Sequence, residues 1–289
     1  MYEIVERQEL APKVIRFVVR APQVARSHRA GQFVIVRSHE GGERIPLSVA
    51  DVDQEAGTIT LVIQEVGTSS ARLNARQHGE SFLNVVGPLG SPTHIEKFGR
   101  VVCVGGGVGC APIHPIAKAL REAGNEIITI LGGRSAMHVL MREELSRLSD
   151  QLIICTEDGS LGQKGIVTEP LLAMLESGDK PDAVLTIGPP RMMKAICDLT
   201  RPFGVKTIVS LNSLMVDGTG MCGGCRVAVN GEAKFVCVDG PEFDGHEVDF
   251  DNFLQRAAMY REYERLSYEK LMKNHQCALD KAMEKTEAR

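Results

Sequence analysis

Between residues 101 and 187 short apolar runs alternate with helix-like stretches, and that alternation leaves few folds open. Val101-Val102-Cys103-Val104 has a buried-strand pattern, followed by Gly105-Gly106-Gly107-Val108-Gly109 and a helical stretch from about Ile113 to Ala123. Ile127–Leu131, Leu152–Thr156 and Ala183–Ile187 repeat the strand pattern, with helices expected at Met141–Leu148 and Val167–Leu175. Apolar strands separated by crossover helices build a parallel sheet, so residues 99–210 are expected to form an α/β doubly wound nucleotide domain.

Residues 1–98 read differently. Ile15–Val19, Gln32–Val36 and Thr58–Ile63 are β-branched runs bounded by Gly, Pro or Asp, with no helix-length amphipathic segment between them. An antiparallel β-barrel is expected there. Residues 211–249 are rich in Gly and Cys and hold little apolar core, and residues 250–289 are helical and charged. In that tail Phe250, Phe253, Leu254, Ala257, Met259 and Tyr260 form a stripe that fits either the chain's own core or a partner's surface.

The balance of 33 Lys+Arg against 37 Asp+Glu, net −4, gives no electrostatic footprint for nucleic acid or an anionic membrane. Aromatics are 4 % with no Trp, which argues against stacking surfaces for single strands. The apolar runs fall far short of the ~20 residues that span a bilayer. The opening residues Met1–Val5 resemble neither part of a secretory signal, so a soluble, cytoplasmic protein is expected.

The sharpest chemical signal is Asp217-Gly-Thr-Gly-Met-Cys222-Gly-Gly-Cys225, with Cys237 twelve residues on. Plant-type two-iron ferredoxins use C-x4-C-x2-C and a distant fourth Cys, and this segment has that spacing with Asp217 in the first position. Glycines let such a loop wrap tightly and aim backbone N–H groups at sulfur. A carboxylate is a harder ligand than a thiolate. A structural zinc site of three Cys and one Asp, or a glycine-rich loop with incidental thiols, fits the same residues. The other five cysteines, Cys103, Cys110, Cys155, Cys197 and Cys277, read as buried hydrophobes.

Gly105, Gly106, Gly107 and Gly109 stand at a strand-to-helix turn, where glycine lets the backbone approach a diphosphate and the helix start offers free N–H groups. No glycine follows two residues after Gly109, a departure from G-x-G-x-x-G. Glu157-Asp158-Gly159-Ser160 and Gly188-Pro189-Pro190-Arg191-Met192-Met193 follow later strands, where open α/β sheets bind ligands. Each alone is ordinary turn chemistry. In the barrel, Arg44-Ile45-Pro46-Leu47-Ser48 and Gly67-Thr68-Ser69-Ser70 suit a flavin pyrophosphate, with Ser48 against the isoalloxazine. They suit equally a surface Arg and a helix capped by Ser69 or Ser70.

Taken together, these motifs resemble the ferredoxin–NADP reductase superfamily over roughly residues 1–270. Within it the chain looks like the flavin and two-iron electron-transfer subunits of dihydroorotate dehydrogenase and sulfide dehydrogenase, and resembles most the small (alpha) subunits of the electron-bifurcating NADH-dependent ferredoxin:NADP oxidoreductase type. Ala30–Val34 looks like the first barrel signature, Arg44–Ser48 the flavin motif, Gly67–Ser70 the pyrophosphate turn, Gly105–Pro112 the nucleotide loop and Gly188–Met193 the segment near the nicotinamide. The superfamily places its Arg three residues before the Ser, whereas Arg44 is four before Ser48. Dihydroorotate-type subunits carry four cluster cysteines, and Asp217 resembles the three-Cys, one-Asp site of the bifurcating type.

The resemblance implies an NAD(P)H-dependent oxidoreductase subunit holding FAD, a [2Fe-2S] cluster and NAD(H), with no acid or base residue. It also implies a larger flavin/iron–sulfur partner subunit, since no second cluster motif or substrate site is visible. A stand-alone NAD(P)H reductase is the competing reading. Arg134, in Gly132-Gly133-Arg134-Ser135, offers a cation for a 2′-phosphate, while the resemblance points to NAD.

Overall fold

The computed structural model describes residues 1–287, with side chains to residue 274; residues 288–289 of the expected tail and the Cys277 side chain lie outside the described part. Seven antiparallel strands open the chain: β1 (Tyr2–Ala11), β2 (Val14–Arg20), β3 (Phe33–Arg37), β4 (Ile45–Asp53), β5 (Thr58–Gln64), β6 (Ser81–Phe82) and β7 (Asn84–Leu89). They pair in the order β6-β1-β2-β5-β4-β3-β7. Only Leu83 separates the two edge strands, so the sheet curls into the expected, nearly closed barrel. Alternation along β2 puts Phe17 and Val19 fully inside, where the Phe17 ring meets Phe82 edge-on at 5.5 Å. Two short helices, α1 (Pro22–Ser27) and α2 (Thr68–Asn74), sit between strands.

Strand β4 contains a bulge. Val49 faces Leu61 and Asp51 faces Thr60, so Ala50 is an extra residue with none opposite it.

The second sheet runs β11-β10-β9-β8-β12-β13-β16. Its chain order is β8 (Arg100–Gly106), α3 (Cys110–Glu122), β9 (Glu126–Gly133), α4 (Arg142–Leu148), β10 (Gln151–Thr156), β11 (Gln163–Lys164), α5 (Thr168–Glu176), β12 (Ala183–Ile187), α6 (Pro190–Thr200) and β13 (Lys206–Ser210). These strands are parallel, as expected of a doubly wound domain. The order reverses between β8 and β12, which makes a topological switch point there. Strands β11 and β13 and helix α6 add to the elements expected from the sequence. Strand β13 is short and half-exposed, and α6 begins at Pro190, whose ring suits the first position of a helix.

The segment after β13 forms a two-stranded ribbon, β14 (Arg226–Val229) and β15 (Glu232–Phe235), turned by Asn230 and Gly231 at φ +51° and +76°. The chain then returns to the second sheet, and β16 (Glu242–Asp244) pairs antiparallel with β13. Helix α7 (Phe250–Ala258) starts at Asp249, whose carboxylate accepts from the Asn252 N–H. Its Phe250 and Phe253 are buried in one apolar cluster with Phe33 and Ile35 of the barrel and Met193 and Cys197 of α6. The early tail therefore packs on the chain's own core. Helix α8 (Arg261–Glu287) follows, and its Tyr263 and Leu266 are exposed.

Glu242 turns its carboxyl inward, where Thr93 Oγ1 donates to it at 2.6 Å and Gly31 leaves no room for a side chain. Burial pushes this carboxyl up to about 7. The folded chain thus holds a proton over a range where the unfolded chain, with the ordinary value of 4.5, has released it. Stability contributed by this group falls as pH rises from about 4.5 through about 7, then levels off. Urea unfolding at pH 5 and pH 8 is expected to show that loss, and Glu242→Gln to reduce the difference between the two pH values.

Candidate functional site

At the end of β8 the chain turns through Gly107–Gly109 into α3. Gly107 has φ +57° and faces open space, a conformation that favours glycine. Gly109 is packed differently: a Cβ there would lie 2.3 Å from the Ile187 carbonyl oxygen and 2.9 Å from Gly188 Cα. Gly109 therefore allows the close helix–strand approach that the missing third glycine of the dinucleotide fingerprint would otherwise supply. Beside it, a Cβ on Gly106 would meet Met192 Sδ at 2.6 Å and Pro189 Cδ at 3.0 Å, and one on Gly188 would meet Met192 Cε at 2.6 Å. The loops Gly105–Gly109 and Gly188–Met192 are thus brought together at the switch point.

Two further loops leave the carboxyl ends of neighbouring strands. The Asp158 N–H donates to the Arg134 carbonyl at 3.2 Å, and the Ala136 N–H to Ser160 Oγ at 2.8 Å. The Asp158 carboxylate accepts from Ser160 Oγ and N–H, which hold it below the usual carboxylate range. Glu157 and Arg134 are exposed, and among the described residues Arg134 makes no ion pair.

On the barrel, Phe33 pairs with Ser48, Val34 with Leu47 and Ile35 with Pro46, so the Pro46–Ser48 segment is a strand with Ser48 exposed at its surface. Gly67, not Ser69 or Ser70, is the residue that begins α2, which corrects the capping assignment read from the sequence. Ser70 instead reaches back from the first turn, where its Oγ accepts from the N–H groups of Val66 and Gly67 at 2.9 and 3.0 Å. Ser69 donates to Glu43, which ties this turn to the residue preceding Arg44. Arg44 is exposed, and no heavy atom lies within 4 Å of where a Gly67 Cβ would be. An arginine, a serine and an open glycine turn on one surface are a donor set that fits a flavin diphosphate.

What lies beside that turn has no local signature in the residues. Ser267 Oγ of α8 is 2.9 Å from Thr68 Oγ1, and Tyr268 hydroxyl bonds Glu65 and accepts from Lys13 Nζ at 2.8 Å. Leu271 and Met272 wall a cleft of about 770 Å³ that also holds Arg7, Arg72 and Arg76.

In the cysteine loop, Cys225 and Cys237 are buried with their sulfurs 3.2 Å apart. Cys222 is exposed, and the Gly224 N–H points at its sulfur at 3.4 Å. Gly218, Gly220 and Gly223 all have positive φ. The Asp217 carboxylate accepts from the N–H groups of Thr219 and Cys222 at 2.7 and 2.6 Å, and these bonds keep it below the usual carboxylate range. Among the described residues no three metal-ligating side chains are already gathered into one cage. Three thiols on a loop whose amides face sulfur are nonetheless chemistry that fits an iron–sulfur cluster. A Cβ on Gly218 would meet Ile35 Cγ1 at 2.8 Å and Leu89 Cδ1 at 2.9 Å, so the loop lies directly on barrel strands β3 and β7.

Residues 212–249 match the iron–sulfur cluster binding domain of dihydroorotate dehydrogenase B, and residues 103–198 match the oxidoreductase NAD-binding domain. A dihydroorotate dehydrogenase B (NAD(+)) electron transfer subunit homolog of Thermotoga maritima is 49 % identical over 271 residues, covering 94 % of this chain and 95 % of the relative. The chain belongs to the dihydroorotate dehydrogenase B electron-transfer subunit family. The Streptococcus mutans subunit is 30 % identical over 258 residues, covering 86 % of this chain and 97 % of the relative. A chain in the solved structure of an NADH-dependent reduced ferredoxin-NADP oxidoreductase superposes with TM-score 0.89 at 48 % identity, covering 94 % of this chain and 98 % of that one. Phthalate dioxygenase reductase, at 16 % identity and TM-score 0.55 over 79 % of this chain and 85 % of its own, shares the fold. This family member is a redox enzyme subunit with iron–sulfur and NAD-binding domains, and no described helix is long and apolar enough to cross a membrane.

Gly109→Ala places a methyl group against the Ile187 carbonyl. It is expected to cost about 1–3 kcal/mol of stability and to weaken NADH binding, read by urea unfolding and NADH titration.

Proposed function

We propose that the chain passes electrons between NAD(H) and a partner protein, with residues 1–98 seating FAD, 99–210 NAD(H), 211–249 a [2Fe-2S] cluster and the tail 250–289 following. The observation that carries this reading is the contact of the cysteine loop with the barrel: Gly218 lies on Ile35, which pairs across to Pro46 of the flavin motif. The flavin and cluster seats are then immediate neighbours, as a short electron path needs.

Each set of residues has its own task. Arg44 and the turn Gly67–Ser70 would hold the flavin diphosphate, with Pro46, Leu47 and Ser48 against the ring system. The N–H groups of Gly105–Gly109 would hold the dinucleotide diphosphate at the start of α3, while Gly188, Pro189 and Met192 border the nicotinamide. Glu157, Asp158 and Arg134 would border the adenosine end. Bound FAD supplies the exchange between two-electron nicotinamide chemistry and one-electron cluster chemistry. The protein contributes position and electrostatics, and no side chain is required to move a proton.

Cys222, Cys225, Cys237 and Asp217 would hold the cluster. Around the exposed Cys222 the apolar side chains of Leu214, Val216, Met221 and Val238 reach solvent, Met221 being 88 % exposed. A patch of this kind beside a redox centre supports docking of a larger flavin/iron–sulfur subunit there. The described cysteines are all free thiols, which suits a reducing, cytoplasmic setting.

Anaerobically purified chain is expected to contain about two irons, two acid-labile sulfides and one FAD. Flavin without iron would leave a reductase lacking its electron exit, and zinc with neither would overturn the proposal. Robust reduction of a soluble acceptor by the chain alone would favour a stand-alone reductase. Asp217→Cys is expected to retain the cluster and lower its midpoint potential, because thiolate donates more charge than carboxylate. An unchanged midpoint would assign Asp217 to holding the loop through the Thr219 and Cys222 amides.

A further inference from the structure

We infer that His114 is a positioning residue that sets the spacing between the nucleotide and flavin seats. Its imidazole pins the helix that starts at the nucleotide loop to the strand that carries the flavin motif. The inference rests on the reading of Gly105–Gly109 and Pro46–Ser48 given above.

His114 Nδ1 lies 3.0 Å from the carbonyl oxygen of Ala50. A carbonyl can only accept, so Nδ1 carries the proton. His114 stands one turn into α3, and Ala50 stands two residues beyond Ser48 on β4. Both ends of this bond are unusual. Ala50 is the extra residue of the β4 bulge and is completely buried. A bulge leaves its extra residue out of the regular ladder, and a buried carbonyl without a donor costs ~1–3 kcal/mol. The nucleotide domain supplies the donor.

On the helix side His114 is flanked by Pro112 and Pro115, both within α3. Pro115 has no N–H, so the Ala111 carbonyl loses its usual helical donor, and a residue preceding proline is disfavoured in helical geometry. The first turns of α3 are therefore less able to hold themselves in place than an ordinary helix. Their position relative to the barrel comes from outside. Ala111, Ile113 and Ile116 share one apolar cluster with Ala11, Val14, Ala50 and Val62 of the barrel. Apolar packing holds the two bodies together without direction, whereas the hydrogen bond from His114 fixes where along β4 the helix sits.

The test uses the FAD-loaded chain. His114→Leu is expected to slow single-turnover flavin reduction by NADH about tenfold, since small displacements of reacting groups are costly, and to remove the long-wavelength charge-transfer absorbance of nicotinamide stacked on flavin. FAD content and the Kd for NADH are expected to stay within about twofold, because the binding loops themselves are intact. His114→Asn, whose amide N–H can reach the same carbonyl, should restore both the rate and the absorbance. Wild-type behaviour in His114→Leu, equal losses in the two variants, or a loss confined to NADH affinity would each overturn the inference. A measurement on the unaltered chain guards against a variant that does not fold: imidazole 15N shifts should report a protonated Nδ1, and a bare Nδ1 would overturn it. A wild-type chain without FAD, or with FAD that NADH does not reduce, would instead fail the underlying reading and take the inference with it.

Discussion

Every site in this molecule depends on the barrel being held from two sides by apolar packing. On one side α3 of the nucleotide domain shares a cluster with Ala11, Val14, Ala50 and Val62. On the other, Phe33 and Ile35 share a cluster with the cysteine segment and with Phe250 and Phe253. Each large side chain fully removed from water contributes roughly 1.5–3 kcal/mol, so these contacts are strong enough to keep three small bodies together. The cysteine segment also meets the nucleotide domain directly, since Met193 and Cys197 of α6 lie in the same cluster and β16 pairs with β13.

Glycine then settles the fine spacing. At Gly109, Gly106, Gly188 and Gly218 a methyl group would strike a neighbouring loop or strand, and each position joins two segments distant in sequence. Glycine at such crossings trades conformational entropy for close approach of backbones. These crossings set how closely the loops and the barrel approach one another.

Much of this was legible in the residues. Alternating strand and helix patterns gave the parallel sheet, and β-branched runs gave the barrel, because both signals are local periodicities. The C-x4-C-x2-C-type spacing found the cysteine loop for the same reason. Other features left weaker traces. Asn230-Gly231 between Val227–Val229 and the following polar strand is a hairpin signal, masked by the glycines and cysteines that crowd the segment. Pro190 read as a loop although proline is at home in a first helical turn. The bulge at Ala50, the return of β16 and the bond between Thr68 and Ser267 depend on residues far apart in the chain, and no local pattern encodes them. The close approach of Gly109 to Ile187, which stands in for the absent third glycine of the nucleotide fingerprint, is likewise a contact between distant residues.

Strand β16 carries a consequence for how the chain comes to be folded. It is the last strand made and it closes the edge of a sheet begun about 140 residues earlier, pairing Asp244 with Ile208. Until residue 244 has emerged from the ribosome, β13 presents a bare row of N–H and C=O groups to any other nascent chain. The cysteine loop lies between β13 and its cover. The cysteine loop and the strand that caps the sheet are therefore completed together, in the last stretch of chain made before the helical tail.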